Sequence, residues 1–280
     1  MAHELTQEFL RAVFPRAPQP ALDSFLKNQK LLDDAGINAT PQRLALFFAN
    51  LAHETAGLTV LKENIYYTHA GVARTWKNRF PGGEAEVIAR FGSAPGWQKA
   101  MLDEVYGSRM GNRPGTRDGS SFIGRGGPQW TGREAYGVLA KMSGLDVLAH
   151  PELAERPELQ AQVSAPLWTW KKMNEVADGD FSAAVERVRV RWNGGTNGLA
   201  EVRRFAANIL PIAQQLPGRT PGRATETVIV VAGGGGAAGT AKQMADSGWS
   251  TEVIVGVAAA IMVVTIVAAV LVAKLKRRKR

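Results

Sequence analysis

The chain has 280 residues, of which 45% are hydrophobic and 21% charged, a composition typical of a globular protein with a sizeable core. Its net charge of +9 does not indicate nucleic-acid binding, because six basic residues lie in the last seven positions and leave only +3 on the rest of the chain. The absence of cysteine excludes disulfides, thiolate metal sites and a cysteine nucleophile.

The first clear helix is predicted over 41–51, where apolar side chains recur at helical spacing. Pro41 suits a first helical turn and Thr40 suits the cap before it. Gly57 is a position at which the chain can turn. The residues that follow, 58–67, mix β-branched and aromatic side chains with polar ones, which predicts a short strand or hairpin.

Further along, 109–128 contains six glycines and two prolines and is predicted to form a long, shaped loop. Three helices are predicted after it. They cover 165–176, with Pro166 in its first turn; 181–190, extending as far as Trp192 and starting near Asp180 or Ser182; and 197–215, which Pro211 kinks or ends.

The composition changes at Pro217. We expect one folded domain over 1–216, a flexible Gly/Pro-rich linker over 217–250, and a transmembrane helix with a basic tail over 251–280. Residues 253–273 are uncharged and long enough to cross a bilayer, although a buried core helix is the alternative. The four glycines at 233–236 do not indicate a phosphate loop, because no Gly-Lys-Ser/Thr follows them.

Two glutamates, Glu54 and Glu63, stand nine positions apart around the predicted turn at Gly57. Hydrolysis of a glycosidic bond needs two carboxyl groups, one to protonate the leaving oxygen and one to activate water or attack the sugar. One continuous helix would separate the two glutamates by about 13.5 Å and about 180°. A break near Gly57, followed by a returning segment, would bring Glu63 opposite Glu54.

Other chemistries fit less well. His53-Glu54 does not form a zinc-protease motif, because Gly57 stands where the second histidine is required, and the remaining histidines are scattered. No metal site and no cofactor are therefore expected. A Gly-x-Ser-x-Gly nucleophile turn is absent. On spacing alone, surface or ion-paired glutamates are the favoured interpretation.

Three further segments change that interpretation. They lie at 106–112, 118–136 and 192–199, and include Gly-Arg-Gly-x-x-Gln-x-Thr-Gly-Arg-x-x-Tyr and Asn-Gly-Gly-Thr-Asn-Gly. With His53-Glu54-Thr55 they resemble glycoside hydrolase family 19, more the lysozyme-like endolysin branch than plant chitinases, over about residues 35–210. The resemblance implies a mainly α (α+β lysozyme-like) fold, with two helical lobes and a small β-hairpin beside the catalytic cleft. One C-terminal transmembrane helix would follow.

The resemblance also implies roles for the two glutamates. Glu54 matches the general acid, and Glu63 matches the base that holds the attacking water. Cleavage of β-1,4 bonds between N-acetylated sugars would proceed with inversion. An inverting enzyme needs room for that water, so the carboxyl groups should lie about 6.5–9.5 Å apart.

Substrate contacts follow from the same resemblance. Thr68 matches a hydroxyl near the water, Gln129 and Thr131 match a polar pair lining the cleft, and Asn193 matches an asparagine that binds substrate from the facing lobe. Tyr67 and Trp130 are candidates for stacking on sugar rings, with packing in the core as the alternative.

The chain departs from the family pattern in several places. Trp130 replaces the usual Leu and Trp192 the usual Ile, which changes packing rather than chemistry. The family's arginine after Asn-Gly-Gly is ambiguous, since Arg203 and Arg204 are both off the usual spacing. Two other arginines, Arg125 and Arg133, are candidates for ion pairs that position the loop or tune Glu54.

The expected function is that of a peptidoglycan-degrading glycosidase of phage or prophage origin. The alternatives are a chitinase and a catalytically inactive cell-wall-binding protein. Its partners would be peptidoglycan strands or chitin, and a lipid bilayer through 253–273; we expect a monomer.

The terminal basic residues would stay cytoplasmic, with a single pass through the bacterial cytoplasmic membrane and the catalytic domain facing the wall. No secretory signal is expected in the first 20 residues, which contain no apolar run of about 7 residues or more.

Overall fold

The computed structural model describes residues 2–220, which belong to a unit that ends at Ala224. Helices dominate this part of the chain, as the sequence predicts. They are α1 (Gln7–Val13), α2 (Gln19–Lys27), α3 (Gln29–Asp34), α4 (Pro41–Glu54), α5 (His69–Thr75), α6 (Gly83–Phe91), α7 (Trp97–Tyr106), α8 (Asp118–Ser121), α9 (Arg133–Ser143), α10 (Gln160–Trp170), α11 (Phe181–Asn193) and α12 (Leu199–Ala213).

Helix α4 lies at the centre of the larger of two hydrophobic cores. Its nine residues from Leu44 to Ala52 are all buried, and its main neighbour is α12. The side chain of Thr40 caps it by accepting a hydrogen bond from the backbone N–H of Arg43. Around Phe47 and Phe48 the aromatic rings pack edge to face, a favourable arrangement that fixes the position of α4.

A second, smaller core is formed by α5, α6 and α7. Its buried side chains are Val72, Phe80, Val87, Trp97, Met101, Leu102, Val105 and Ile123. Helices α5, α6 and α7 therefore enclose their own apolar centre, separate from the one around α4. Two separate cores are what a two-lobed domain requires.

Two of the predicted helices after the loop are confirmed. Helix α11 begins at Phe181, where Asp180 caps it, and it continues to Asn193. Helix α12 runs from Leu199 to Ala213 and contains Pro211 in its last turn. A proline there removes a single backbone hydrogen bond close to the point where the helix ends, so the helix tolerates it.

The helix predicted over 165–176 is misplaced. The structure has α10 from Gln160 to Trp170, with Pro166 in its interior rather than in its first turn. Eight of its residues are buried, and this burial outweighs the hydrogen bond that the proline removes. The helix ends at Trp170, and Lys172, two residues later, has a left-handed backbone (φ 49°).

The strand or hairpin predicted over 58–67 is also corrected. Residues 61–68 form a segment without regular secondary structure, extended at Lys62, where it forms a single bridge to Arg125. The hairpin lies elsewhere, at 125–130, where Arg125 and Trp130 exchange both backbone hydrogen bonds. It falls within the predicted loop and its continuation, and that loop also contains the short helix α8.

Two short strands join the ends of the described region. Strand β1 (Ala2–His3) pairs antiparallel with β2 (Gly218–Arg219), so the folded unit continues past the expected boundary at 216. Within residues 2–220 no helix is long and apolar enough to span a bilayer. The predicted membrane span at 253–273, and the linker from 221 onward, lie outside the described residues.

Candidate active site

Glu54 is the last residue of α4, and a buried arginine holds it in place. Nη1 of Arg189, on α11, donates to Oε1 of Glu54 over 2.6 Å and to the side-chain oxygen of Asn50 over 3.1 Å. Nε of Arg189 donates to the backbone oxygen of Asn197 over 2.7 Å. The Arg189 side chain is 2% exposed and that of Glu54 19%, so the pair is shielded from solvent.

The helix breaks directly after Glu54. Thr55 accepts a hydrogen bond from the N–H of Leu58 and donates its hydroxyl proton to the carbonyl oxygen of Leu51, which binds the turn to the helix. Ala56, Gly57 and Leu58 all have positive φ angles, of 48°, 76° and 62°. Glycine adopts this conformation freely, but alanine and leucine do so at a cost of about 1–2 kcal/mol each. The predicted break near Gly57 is confirmed.

Glu63 lies on the extended segment beyond this turn. Its backbone N–H donates to the oxygen of Gly124, and the N–H of Gly124 donates to Oε2 of its carboxylate over 3.0 Å. Among the described residues, Oε1 of Glu63 and Oε2 of Glu54 accept no hydrogen bond. Each glutamate is therefore tethered through one oxygen and keeps the other available.

Gln129 lies beside Glu63. A Cβ added to Gly124 would meet Oε2 of Glu63 at 2.7 Å and Oε1 of Gln129 at 2.8 Å, so both oxygens face the same glycine. Gln129 has a positive φ of 57° and donates its side-chain N–H to the oxygen of Gly126. The hydroxyl of Thr131 donates to the backbone oxygen of Gln129, which supports this backbone conformation.

Tyr67 lies on the same extended segment as Glu63. Its ring packs edge to face against Trp76, which packs against Tyr106 in turn. Burial raises the pKa of Tyr67, and the negative charge of Glu63 raises it further. The pKa of Tyr106 is raised by burial, by Tyr67 and by Glu63. Both phenols therefore stay protonated at neutral pH and can act as hydrogen-bond donors near Glu63.

The other predicted substrate contacts are at the surface. Thr68 is exposed and caps α5, its hydroxyl accepting from the N–H of Gly71. Asn193 is exposed at the end of α11, and its side chain donates to the oxygen of Asn197 over 3.2 Å. That oxygen also accepts from Arg189, so the Asn-Gly-Gly loop is connected to Glu54 through one side chain.

Neither arginine suggested by family spacing contacts Glu54. Arg203 pairs with Glu186 and Arg204 with Glu201, all on exposed surface. The other carboxylate oxygen of Glu201 contacts Nδ1 of His53 at 2.8 Å.

Trp130 is 2% exposed, and its indole N–H donates to the oxygen of Val163. Stacking of Trp130 on a sugar ring is therefore excluded, and its role is packing. Arg125 pairs with Glu155 and donates to the hydroxyl of Tyr136.

Arg133 pairs with Asp118. Neither Arg125 nor Arg133 has an ion pair with Glu54, and both hold the loop. Within residues 2–220 no three histidine, aspartate or glutamate side chains converge in a way that could bind a metal ion.

The comparisons with known proteins give one sequence relative. A "Glycosyl hydrolase family 19 domain-containing protein" of Haemophilus influenzae (strain ATCC 51907 / DSM 11121 / KW20 / Rd) is 32% identical over 158 residues, 56% of this chain and 73% of the relative. The chain belongs to glycosyl hydrolase family 19. No protein-family profile matches it.

Solved structures similar to this family 19 domain include two of chitinase C. Chitinase C from Streptomyces griseus HUT6037 is 17% identical, with 80% of this chain and 97% of that one aligned at a TM-score of 0.44. A mutant of chitinase C is 16% identical, with 78% and 80% aligned at a TM-score of 0.42. Both scores are low, so family membership rests on the sequence relative.

Three residues of this family 19 site were not anticipated from the sequence. Arg189 and Asn50 lie on different helices, and their spacing of 139 positions gives no signal of contact. Thr55 falls inside the His-Glu-Thr motif, but its role in closing the turn depends on the conformation of Leu58. An arginine on a helix face that is otherwise apolar, as Arg189 is between Val185 and Trp192, was the only available signal.

Proposed function

We propose that this chain is a peptidoglycan-degrading glycosidase that hydrolyses β-1,4 bonds between N-acetylated amino sugars with inversion. The observation that carries the proposal is the pair of glutamates across the helix break, each tethered through one oxygen and open at the other. One open oxygen can deliver a proton and the other can accept one from water. Membership of family 19 supports a glycosidase acting on chitin or cell-wall polymers.

In this proposal Glu54 is the general acid and Glu63 the base. The backbone N–H of Gly124 fixes one oxygen of Glu63, which directs the other toward the attacking water. A carboxyl separation of about 6.5–9.5 Å, which leaves room for that water, is part of the proposal. Thr68, Gln129 and Thr131 would contact the water and the sugar, Tyr67 the sugar ring.

Asn193 would bind the substrate from the other side of the site. Its side chain and that of Arg189 share the oxygen of Asn197, so sugar binding at Asn193 would act on the same loop that helps to hold Glu54. This connection supports a substrate-binding role, because it fixes the amide of Asn193 relative to the acid.

The proposal includes a membrane anchor at 253–273, with the basic residues after it on the cytoplasmic side. Its support is the uncharged 21-residue run and the six basic residues that follow. Protease treatment of intact bacterial spheroplasts that make the full chain tests this arrangement. We expect digestion of the catalytic unit, and complete protection would contradict its location on the outer side.

The enzymatic test compares the wild type with Glu54→Gln and Glu63→Gln on suspended peptidoglycan and on chitin. We expect loss of turbidity with peptidoglycan, reduced by about 10²–10⁴-fold in each variant, because each removes one proton-transfer group. Glu158→Gln, which disturbs only an exposed pair with Arg156, is the matched control and should keep full activity. Equal clearing by the wild type and Glu54→Gln would refute the assignment.

The products identify the substrate and the stereochemistry. Mass spectrometry of the digested wall should show cleavage between amino sugars, and NMR should show that the first anomer formed is inverted. Release of chitin oligosaccharides without clearing of the wall would identify a chitinase. Binding to the wall by all variants without cleavage by any would identify a binding protein.

A further inference from the structure

A cavity of about 340 Å³ lies on the reverse side of the segment that carries Glu63. Four basic residues line it, namely Lys62, Lys99, Arg117 and Arg125, together with one carboxylate, Glu152. Glu54, Glu63 and the other candidate catalytic or substrate-binding residues are not part of its lining. The cavity therefore needs an explanation of its own.

Strand geometry separates this cavity from the candidate active site. Lys62 and Arg125 are bridge partners, so their side chains lie on one face of the paired segments. Successive residues of extended chain point to opposite faces, which places Glu63 and Gly124 on the other face. The hydrogen bond between Glu63 and Gly124 agrees with this arrangement.

The positive charge in the cavity is only partly neutralised. Glu155 contacts Arg125 at 3.0 Å and Lys62 at 3.7 Å. Within residues 2–220, Lys99 and Arg117 form no ion pair. Glu152, Glu155 and Asp103, whose carboxylate accepts from the backbone N–H of Ser120, leave an excess of one positive charge around this concave surface. A concave surface with an excess of positive charge concentrates anions.

We propose that this cavity binds an anionic group of the phosphate or carboxylate class. A volume of about 340 Å³ is at the lower end of the range for ligand pockets, roughly 300–1,000 Å³, so it suits one small anionic group rather than a length of glycan. Lysine and arginine side chains bind both kinds of oxyanion, and Ser121 adds a hydroxyl donor at the lining. The inference does not depend on the proposed catalytic function.

If the chain acts on a bacterial wall, the anion has two sources. One is a carboxylate of the wall peptides and the other is a phosphate of a wall polymer or of the solution. The same basic side chains would bind either group, so one probe of each class is needed to tell the two sources apart. Inorganic phosphate and N-acetylalanine, a small carboxylate, represent the two classes.

The test is calorimetric titration of the full chain, in a non-ionic detergent, with each probe at constant ionic strength. We expect saturable binding of at least one probe with a Kd on the order of 1 mM. The double variant Lys99→Gln/Arg117→Gln should bind at least about 10-fold more weakly. Its thermal midpoint without probe should not fall, because the substitutions remove repulsion between exposed like charges.

The matched control is Arg16→Gln/Lys141→Gln, which removes the same charge from exposed residues outside the cavity. This control variant should bind the probe like the wild type. The bound probe should raise the thermal midpoint of the wild type and of the control variant, but not that of Lys99→Gln/Arg117→Gln. Equal weakening in both double variants would mean that net charge alone is responsible. That result, or the absence of saturable binding of both probes by the wild type, would overturn the proposal.

Discussion

At the scale of single residues, Arg189 is the side chain that connects Glu54 to Asn50 and to the loop at Asn197. It is buried and bonds to three acceptors: a side-chain amide, a carboxylate and a backbone oxygen. The planar guanidinium matches these three directions, which a lysine ammonium at the end of a flexible chain does not. Arg189 is therefore a positioning residue for the candidate acid.

Arg189→Met should lower the free energy of unfolding by about 3 kcal/mol, because it leaves a shielded carboxylate and amide without their donor. Urea unfolding measures this. Arg203→Met is the control, since its pair with Glu186 is about half exposed and should be worth less than about 1 kcal/mol. Equal losses in the two variants would contradict the role of burial.

The activity of Arg189→Lys separates positioning from charge. Lysine keeps the positive charge but cannot reach all three acceptors, so kcat should fall by about 10-fold or more while KM changes little. Steady-state kinetics on solubilised wall fragments provide the values. A variant with unchanged kcat would show that charge alone suffices.

Asp118 makes a pH-dependent contribution to stability. Hydrogen bonds from Arg113 are the main cause of the lowered pKa of this carboxyl group, and Arg133 adds to the effect. A folded pKa below the unfolded value of about 3.9 stabilises the protein above that pH, and the contribution is lost as pH falls through the folded pKa. Asp118→Asn should thus destabilise at pH 7, with the difference from wild type shrinking below about pH 4.

Urea unfolding at several pH values checks this prediction for Asp118. Asp34→Asn serves as the comparison, because its pair with Lys30 is exposed on both sides and should have little effect at any pH. A difference between wild type and Asp118→Asn that stays constant down to pH 3 would contradict the expected role of the carboxylate.

At the scale of elements, the site depends on how the 125–130 hairpin meets the extended segment. Gly124 is the point of closest approach, because a Cβ there would meet carboxylate and amide oxygens below 3.0 Å. Both oxygens end flexible side chains, so they can move aside at little cost to the fold. The added Cβ would instead displace the side-chain oxygens of Glu63 and Gln129 from their positions in the site.

Gly124→Ala should therefore lower kcat by about 10²-fold while changing the thermal midpoint little. Gly137→Ala is the matched control, because nothing lies within 4 Å of the added Cβ and the position is inside helix α9. That change should raise stability by about 1 kcal/mol with full activity. Wall-clearing assays measure the activity and thermal melts measure the stability of each variant. Full activity of Gly124→Ala would show that the position of the Glu63 and Gln129 oxygens does not depend on Gly124.

Prediction from sequence worked best where local rules decide the outcome. The cap at Thr40, the start of α11 at Phe181 and the break after Glu54 follow from side chains close to them in the chain. It failed where distant burial decides. Helix α10 keeps Pro166 in its interior because its surroundings bury it, and nothing in the local sequence shows this.

The same distinction applies to the candidate site. The two glutamates and the turn between them can be predicted from the sequence, whereas Arg189 and Asn50 come from different helices and meet only after folding. The β-branched and aromatic residues of 58–67 predict a short strand or hairpin, but the hairpin does not form there. Its true position at 125–130 contains glycines and a proline, and is fixed by pairing rather than by propensity.

At the scale of the whole molecule, the described unit closes on itself through its first and last strands. Besides the β1–β2 pair, Arg219 forms an ion pair with Asp33, whose side chain is 7% exposed. Arg219, close to the end of the described residues, thus covers a buried carboxylate near their beginning. This contact links two regions 186 positions apart in the chain.

Arg219→Gln should lower the free energy of unfolding by about 2 kcal/mol, because Asp33 keeps a charge without its main donor. For a unit of this size the midpoint should fall by roughly 4–8 °C, measurable by calorimetry. Lys30→Gln, in an exposed pair, is the control and should shift it by about 1 °C or less. An unchanged midpoint for Arg219→Gln would show that the closure adds no stability.

The shared oxygen of Asn197 restricts how this family 19 domain could be redesigned. Asn193 and Arg189 both bond to it, and Arg189 also holds Glu54. A loop transplanted from a relative to change sugar preference would have to present its own carbonyl at the same point. We therefore expect a new 193–198 segment that lacks this carbonyl to bind a new sugar but to lose cleavage, because Arg189 would then hold Glu54 with one supporting bond fewer.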